Sequence, residues 1–454
     1  MRRFWSSLAI LTFGAQLAIN AGAQKAPKFP LKQFTLANGL RVVLSEDHSS
    51  PVIGLALAYD VGSRNEAKGK TGFAHLFEHL MFEGSLHAPK GAFDKYINGG
   101  GGLNNAFTAE EGTIYIESFP AEKLPLVLWL EADRMRSLDV SAGPLKNQQE
   151  VVKEEKRLRV DNQPYAGAGI KLQELAYSNF ANQHPTIGSM EDLDAASLAD
   201  VQTFFKTYYA PNNALLVLVG DFNAKTAREY IEKYLGAIPA QHAPPKTDVS
   251  EPPQTAERRA IVEDKLARVP AVEIAWHGPS YSNVDTYAAD LLMDIVFNGE
   301  TSRAYQSLVK GQQMALSIRG NLGSKRGPSL FEVTSIHRPN VSSADMERAI
   351  YDLIANVQKN PPTESELRRA KTQFRANRYR GFSIFGLESM LGRAIQIAQY
   401  AVYYGDPNLV NTEIERYMSV TTSDIKAVAA RYLTAENRTV VVVKPAGSQG
   451  GSGR

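Results

Sequence analysis

The 454-residue chain carries 50 Lys plus Arg against 48 Asp plus Glu, has 43% hydrophobic residues and contains no cysteine. That length allows about two to four domains with their own cores, and a formal charge of +2 offers no broad basic field for nucleic acid. Without cysteine there is no disulfide scaffold, no thiol nucleophile and no iron–sulfur or Cys-based zinc site, so any metal has to be held by His, Asp or Glu.

Residues 1–23 read as a secretory signal: Arg2 and Arg3, an apolar run from Leu8 to Ile19, and Ala21-Gly22-Ala23 as a small-residue cleavage site. The run is short and interrupted by Gly14 and Gln16, which disfavours a membrane span. Cleavage after Ala23 predicts a periplasmic or secreted protein with no stable span. It also takes the formal charge from +2 to 0, because Arg2 and Arg3 are the ionisable side chains of that segment.

Leu40 to Leu44 and Val52 to Tyr59 then read as strands around a polar turn. The next segment, from Gly72 to Phe82, is helical. At about 100° per residue, Phe73, Leu76, Phe77, Leu80 and Met81 share one stripe, while His75, Glu78 and His79 share an arc on the other side. Two imidazoles one turn apart can chelate a single ion, and the carboxylate between them points the same way. This His-x-x-Glu-His order reverses the better-known zinc motif. Satisfied surface histidines would be the bland alternative, yet the chain has just eight His and the pair sits opposite a strong core stripe.

Asn98-Gly99-Gly100-Gly101-Gly102 lacks the Lys-Ser/Thr of a phosphate loop and reads as a mobile loop beside the site. The segment from Asn104 to Tyr115 reads as strand. Further on, Gln148 to Leu158 is helical and carries Glu150, Glu154 and Glu155. A catalytic zinc site with two His needs a third protein ligand, commonly a carboxylate. On the wheel, Val151, Val152 and Leu158 mark the buried side and Glu155 lies near its centre, where a carboxylate needs a partner. Glu150 and Glu154 fall outside it and are expected in helix salt bridges.

Tyr209 to Asn213 leads into a strand from Leu215 to Val219, and residues 239–255 follow with five prolines and no apolar periodicity, an extended semi-rigid connector. The layout then repeats: strands at Ile261-Val262 and Ala271 to Trp276, a helix from Val284 to Phe297, and a close on Tyr432 to Asn437 with a strand from Thr439 to Val443. Both halves end as helix, Tyr, Asn-bearing turn and strand, which points to an internal duplication. The expected domains are 24–238 and 256–446, with 447–454 as a disordered Gly/Ser tail.

His75-Leu-Phe-Glu78-His79-Leu-Met-Phe-Glu-Gly84, the 75 residues between His79 and Glu155, and the stretch around Asn104 to Tyr115 resemble the M16 metallopeptidases, especially the β subunit of mitochondrial processing peptidase and its bacterial relatives. The likeness runs over essentially the whole mature chain. It implies a zinc-dependent endopeptidase in which His75, His79 and Glu155 bind Zn2+ and Glu78 is the general base. It further implies that Asn105, Ala106, Phe107 and Thr108 lie on an edge strand pairing with extended substrate. The implied fold is α+β: two homologous domains, each an antiparallel sheet packed with helices, forming a clam-like chamber for peptides or unfolded segments, with residues 239–255 as a hinge.

Two positions depart from the family. Seven residues before Glu155 much of the family has another Glu, where this chain has Gln148. In the second half the positions that resemble the family's substrate-holding Arg and Tyr are Val309 and Leu316, whose side chains cannot donate a hydrogen bond. Arg303, Tyr305 and Lys310 are nearby at other spacings. The pattern is that of two-chain members, so the resemblance implies a homologous partner subunit supplying Arg and Tyr, with a homodimer as the alternative. A non-catalytic structural or interaction subunit is the competing class, against which stands the complete His-x-x-Glu-His set. A zinc amidohydrolase barrel gives no role to duplicated halves.

Overall fold

Val52 to Tyr59 alternates large and small side chains, and the fold buries both faces of that strand. The computed structural model describes residues 27–381 and 386–446, so the signal peptide expected at 1–23 and the tail at 447–454 lie outside the described residues. The strands in chain order are β1 (Lys32–Thr35), β2 (Arg41–Glu46), β3 (Val52–Tyr59), β4 (Leu103–Thr108), β5 (Thr113–Pro120), β6 (Ala214–Gly220), β7 (Arg258–Asp264), β8 (Ala271–His277), β9 (Ala315–Leu322), β10 (Leu330–His337) and β11 (Arg438–Pro445). They form two sheets, ordered β1-β2-β6-β3-β5-β4 and β7-β11-β8-β10-β9, each packed with helices.

The expectation of wholly antiparallel sheets needs one correction. β2 runs parallel to β6 and β7 parallel to β11, while the other pairs are antiparallel. The cause is topological. The last strand of each half inserts between two strands that run in opposite directions, so it must be parallel to one of them.

From β2 and from β7 onwards the two sheets share order and direction strand for strand, as a duplication requires. The closing turns match at the level of one side chain. Asn213 Nδ2 donates to Tyr208 O at 2.8 Å and to Asp60 O at 3.3 Å, while Asn437 Nδ2 donates to Tyr432 O at 2.7 Å and to His277 O at 2.8 Å. In each half the amide ties the end of a helix to the end of the strand beside the last one.

The faces of the central strands explain how the halves join. Ile53, Leu55, Leu57 and Tyr59 point into a core made with first-half helices, while Ala56 and Ala58 face Leu391, Ala394, Ile397 and Ala398 of the helix Met390–Gln399 from the second half. Reciprocally, Val272, Ile274 and Trp276 fill the second core, and Ala271 and Ala275 face Ala168, Leu172 and Ala176 of the first-half helix Ala166–Ala176. Small residues on one face of each sheet thus seat a helix lent by the other half. Ion pairs reinforce the joint: Arg326 meets Asp60 at 2.9 Å, and Arg393 meets Asp47 at 2.6 Å.

Residues 239–255 adopt neither helix nor strand. The segment is tied to the first half, with Asn179 Nδ2 donating to Asp248 O and Ser250 O at 2.8 and 2.9 Å and Asn65 Nδ2 donating to Thr247 Oγ1 at 2.9 Å. Opening the halves about it would require both lent helices to leave their sheets.

Candidate metal centre

The histidine-bearing helix spans Phe73–Leu80. Phe73, Leu76, Phe77 and Leu80 are buried in the first core, which fixes the helix roll and turns His75, Glu78 and His79 towards the neighbouring helix and strand. Its start is held by a residue with no obvious sequence signature. The buried Glu66 carboxylate accepts the N–H groups of Gly72 and Ala74, each at 2.8 Å, and is backed by His184 Nε2 at 3.1 Å. An acceptor there satisfies orphan helix donors and complements the helix dipole. Gly72, at φ 86°, enters the helix in a conformation that favours glycine.

Glu155 comes from the helix Ala142–Lys156. The buried face differs from the one read off the wheel, since Val151 is 41% and Leu158 56% exposed. Leu145, Gln148 and Val152 form the inward stripe, and Glu155 continues it with a side chain 16% exposed. Leu158 stands about 100° from the centre of that stripe even on a regular helix, and it lies in a π-helical turn over Arg157–Asp161. Glu155 therefore points inward, along a stripe displaced from the expected one. Glu150 and Glu154 pair with Lys153 at 2.8 Å and Arg157 at 3.0 Å, as helix salt bridges.

One ligand atom each from His75, His79 and Glu155 lie within 4.8 Å of one another. Glu155 Oε2 is 3.1 Å from His79 Nε2 and 3.6 Å from His75 Nε2, and the rings stand edge to face at 89°. The other Glu155 oxygen meets Arg159 at 2.8 Å. Two imidazole nitrogens and a carboxylate oxygen converging on one point fit a zinc-type ion with a position left open. Burial, then the neighbouring His79, pushes the His75 pKa down to about 4, so the ring is neutral and able to ligate at neutral pH.

Glu78 stands beside this triad without joining it. Thr108 Oγ1, at the end of β4, donates to Glu78 Oε2 at 2.6 Å, and burial raises the carboxyl above its ordinary value. β4 lies at the edge of the first sheet, paired with β5 alone among the described residues. On it, Asn105 is exposed, Phe107 and Thr108 are half-buried, and Ala106 donates its N–H to Asn105 Oδ1 at 2.9 Å. Gly99–Gly102 make the turn that leads into this strand, with Gly101 at φ 82°.

Gln148 is buried in the wall of the site. Its Oε1 lies 3.1 Å from His79 Nδ1, and its Nε2 donates to Glu83 Oε1 at 2.5 Å. Glu83 is gripped by Lys90 Nζ at 2.7 and 2.8 Å. His75 Nδ1, in contrast, is buried without a hydrogen-bond partner among the described residues. Glu66, Glu83 and Arg159 escape sequence reasoning. For Glu83 a signal existed, since it lies four residues beyond His79.

In the second half, Arg303 makes a two-pronged pair with Glu366 at 2.8 and 3.0 Å and reaches Asn356 at 3.1 Å, which commits it to anchoring the helix Glu364–Arg380. Tyr305 and Lys310 ride on a π-helical turn, Tyr305–Gly311. Val309 packs against the second core, and Leu316 is 47% exposed on the edge strand β9.

Two family profiles match the chain: "Insulinase (Peptidase family M16)" over residues 41–189 and "Peptidase M16 inactive domain" over residues 195–374. The chain is 29% identical over 443 residues to the zinc protease PqqE of Helicobacter pylori, covering 97% of each protein. It is 22% identical over 410 residues to a mitochondrial-processing peptidase subunit beta of Lentinula edodes, covering 88% of this chain and 86% of the other. The crystal structure of a protease from Helicobacter pylori superposes with a TM-score of 0.86 at 29% identity, covering 92% of this chain and 100% of that one. His75, Glu78, His79 and Glu155 all fall within the segment matched by the insulinase profile.

Proposed function

The chain belongs to the M16 family of peptidases, and we propose that it is a zinc-dependent endopeptidase acting on peptides or unfolded segments, the metal-bearing subunit of a two-subunit enzyme. The convergence of His75, His79 and Glu155 within 4.8 Å, with Glu78 alongside, carries this reading. These three residues would hold Zn2+, whose chemistry is to polarise the scissile carbonyl and acidify water.

The chain's own residues do the rest. Glu78 takes the proton of the attacking water and returns it to the leaving amine. A carboxylate raised by burial is better matched to that task near neutrality than an exposed one. Thr108 holds one Glu78 oxygen, so the other is free to face the water. The open edge of β4 offers the outward-facing backbone groups of Ala106 and Thr108 to an extended peptide, with Asn105 and Phe107 between them turned to β5, a recognition mode indifferent to side-chain identity. Asn105 caps the Ala106 N–H until substrate replaces it.

The mature protein would work in the periplasm or outside the cell, given the N-terminal pattern at 1–23. Among the described residues no helix is long and apolar enough to cross a membrane. Val309 and Leu316, together with Arg303 held by Glu366, support a homologous partner that supplies substrate-holding donors. The relative named as a subunit agrees with that arrangement.

The test is to purify the chain alone and with a homologous subunit, measure bound metal, and follow cleavage of a quenched unfolded peptide. Glu78→Gln should keep zinc while turnover falls about 10²–10⁴-fold, because the ligands remain and the base is lost. Hydrolysis by that variant at the wild-type rate rejects the assignment, and full activity of the isolated chain rejects the partner. The same two second-half positions favour one alternative, a non-catalytic structural or interaction subunit. That alternative gains if zinc binds but no peptide is cut with any partner.

A further inference from the structure

We propose that Glu83 is a positioning residue for the metal centre, acting on His79 through the side-chain amide of Gln148. The inference rests on the zinc reading above, and it assigns to Glu83 the carboxylate role that position 148 cannot fill in this chain.

The argument begins with hydrogen-bond direction. An ionised carboxylate only accepts, so the amide group facing Glu83 Oε1 must be Gln148 Nε2, which it meets at 2.5 Å. That leaves Gln148 Oε1 towards His79 Nδ1, 3.1 Å away, and an amide oxygen also only accepts. His79 must therefore carry a hydrogen on Nδ1, which leaves Nε2 as the nitrogen whose lone pair the neutral ring offers to an ion. Nε2 is the atom that faces Glu155 Oε2 at 3.1 Å, where the ion would sit. Each link fixes the next, and Glu83 starts the sequence.

Glu83 is itself held. It is 7% exposed, Lys90 Nζ binds both its oxygens at 2.7 and 2.8 Å, and Asn147 Nδ2 donates at 3.3 Å. Lys90, Asn147 and Gln148 thus all donate to this one carboxylate, which fixes its place beside the Gln148 amide. Position 83 also lies just past the histidine helix, while Gln148 lies on the helix that carries Glu155. The link thus ties together the two elements that supply the donors. Among the described residues His75 Nδ1 has no hydrogen-bond partner, so His79 is the histidine of the pair whose tautomer a side chain sets. Partners of this kind behind a ligating histidine commonly change metal affinity about 10–100-fold.

Two readouts other than turnover test this. The first is competitive titration of the metal-free protein with Zn2+ against a chromophoric chelator. Glu83→Gln should weaken zinc about 10–100-fold, since an amide there can present its donor end and no longer dictates the orientation of Gln148. The double variant Glu83→Gln with Gln148→Glu should recover the wild-type affinity, because the new carboxylate at position 148 accepts the His79 Nδ1 hydrogen directly. A merely structural role for Glu83 predicts no such recovery. The second readout is the His79 tautomer in ¹⁵N-histidine spectra of the metal-free protein in a Glu155→Ala background, which removes the carboxylate facing Nε2: Nδ1–H in that parent, mixed when Glu83→Gln is added, Nδ1–H again with the double change. Unchanged affinity in Glu83→Gln, or a double variant as weak as the single one, overturns the proposal. So does an Nε2–H tautomer in the Glu155→Ala parent. If the wild-type chain binds no zinc, the zinc reading itself fails, and the spectra alone judge the tautomer link.

Discussion

Glu273 lies on the alanine face of β8, 7% exposed and close to Gly169 of the helix lent by the first half. Burial first, then the charge of Glu332, pushes its carboxyl from 4.5 up to about 7. The folded state therefore accommodates the protonated form. The stability this confers is fully present below about 4.5 and is lost as the pH rises through about 7. The loss amounts to about 1–3 kcal/mol by linkage. Glu273→Gln should melt higher than the wild type at pH 8 and level with it at pH 4.5. Two stability curves that stay parallel from pH 4.5 to pH 8 would show that Glu273 is solvated. Such a residue is illegible in sequence, since nothing in Ala271 to His277 says what covers its second face. The metal donors are legible for the opposite reason. His75, Glu78 and His79 are one turn apart or less, so helical periodicity alone brings them together. Glu155 is the intermediate case: its inward direction could be read, but the stripe used to read it contained Val151 and Leu158, which are exposed.

Gly54 shows why the lent helices fix element positions closely. A Cβ at that point of β3 would lie 2.4 Å from Leu391 N and 2.5 Å from both Leu391 Cα and Met390 C. These are backbone atoms of the helix Met390–Gln399, or its start, so no side-chain rotation can relieve the clash. Gly54→Ala should destabilise by about 1–3 kcal/mol through forced displacement of that helix. Gly143→Ala, where nothing lies within 4 Å, is the matched control and should be neutral or slightly stabilising. Equal melting temperatures for the two variants would mean that the helix is not seated on β3 in solution. Val52 to Tyr59 reads as a strand in the sequence, and the fold adds that both of its faces are buried. Which helix approaches was not readable, because Met390–Gln399 is remote along the chain and its amphipathic pattern matches any apolar partner. The parallel pairs β2–β6 and β7–β11 were hidden likewise, since strand direction follows from the path of the whole half.

At the scale of the molecule, the exchange decides where a substrate chamber can form. The duplication and the proline-rich connector are both visible in the sequence, and together they suggest two lobes that open about residues 239–255. The contacts oppose that motion. Leu391, Ala394 and Ile397 lie under the first sheet and Ala168, Leu172 and Ala176 under the second, with Arg326 and Arg393 pairing across the joint. Parting the lobes would expose both apolar helix faces at once, a cost of several kcal/mol at about 25 cal/mol per Å². The connector then acts as a covalent link, and the halves stay together without it. A protease site inserted between His242 and Ala243, two exposed residues, tests this directly. After cleavage the two fragments should co-elute in gel filtration under native conditions, melt in one transition and retain the zinc content of the uncut protein. Fragments that separate would restore the hinged-lobe picture. If they hold together, a chamber able to admit a peptide to the β4 edge has to be closed by another chain. A closing chain can also bring the hydrogen-bond donors that Val309 and Leu316 do not provide.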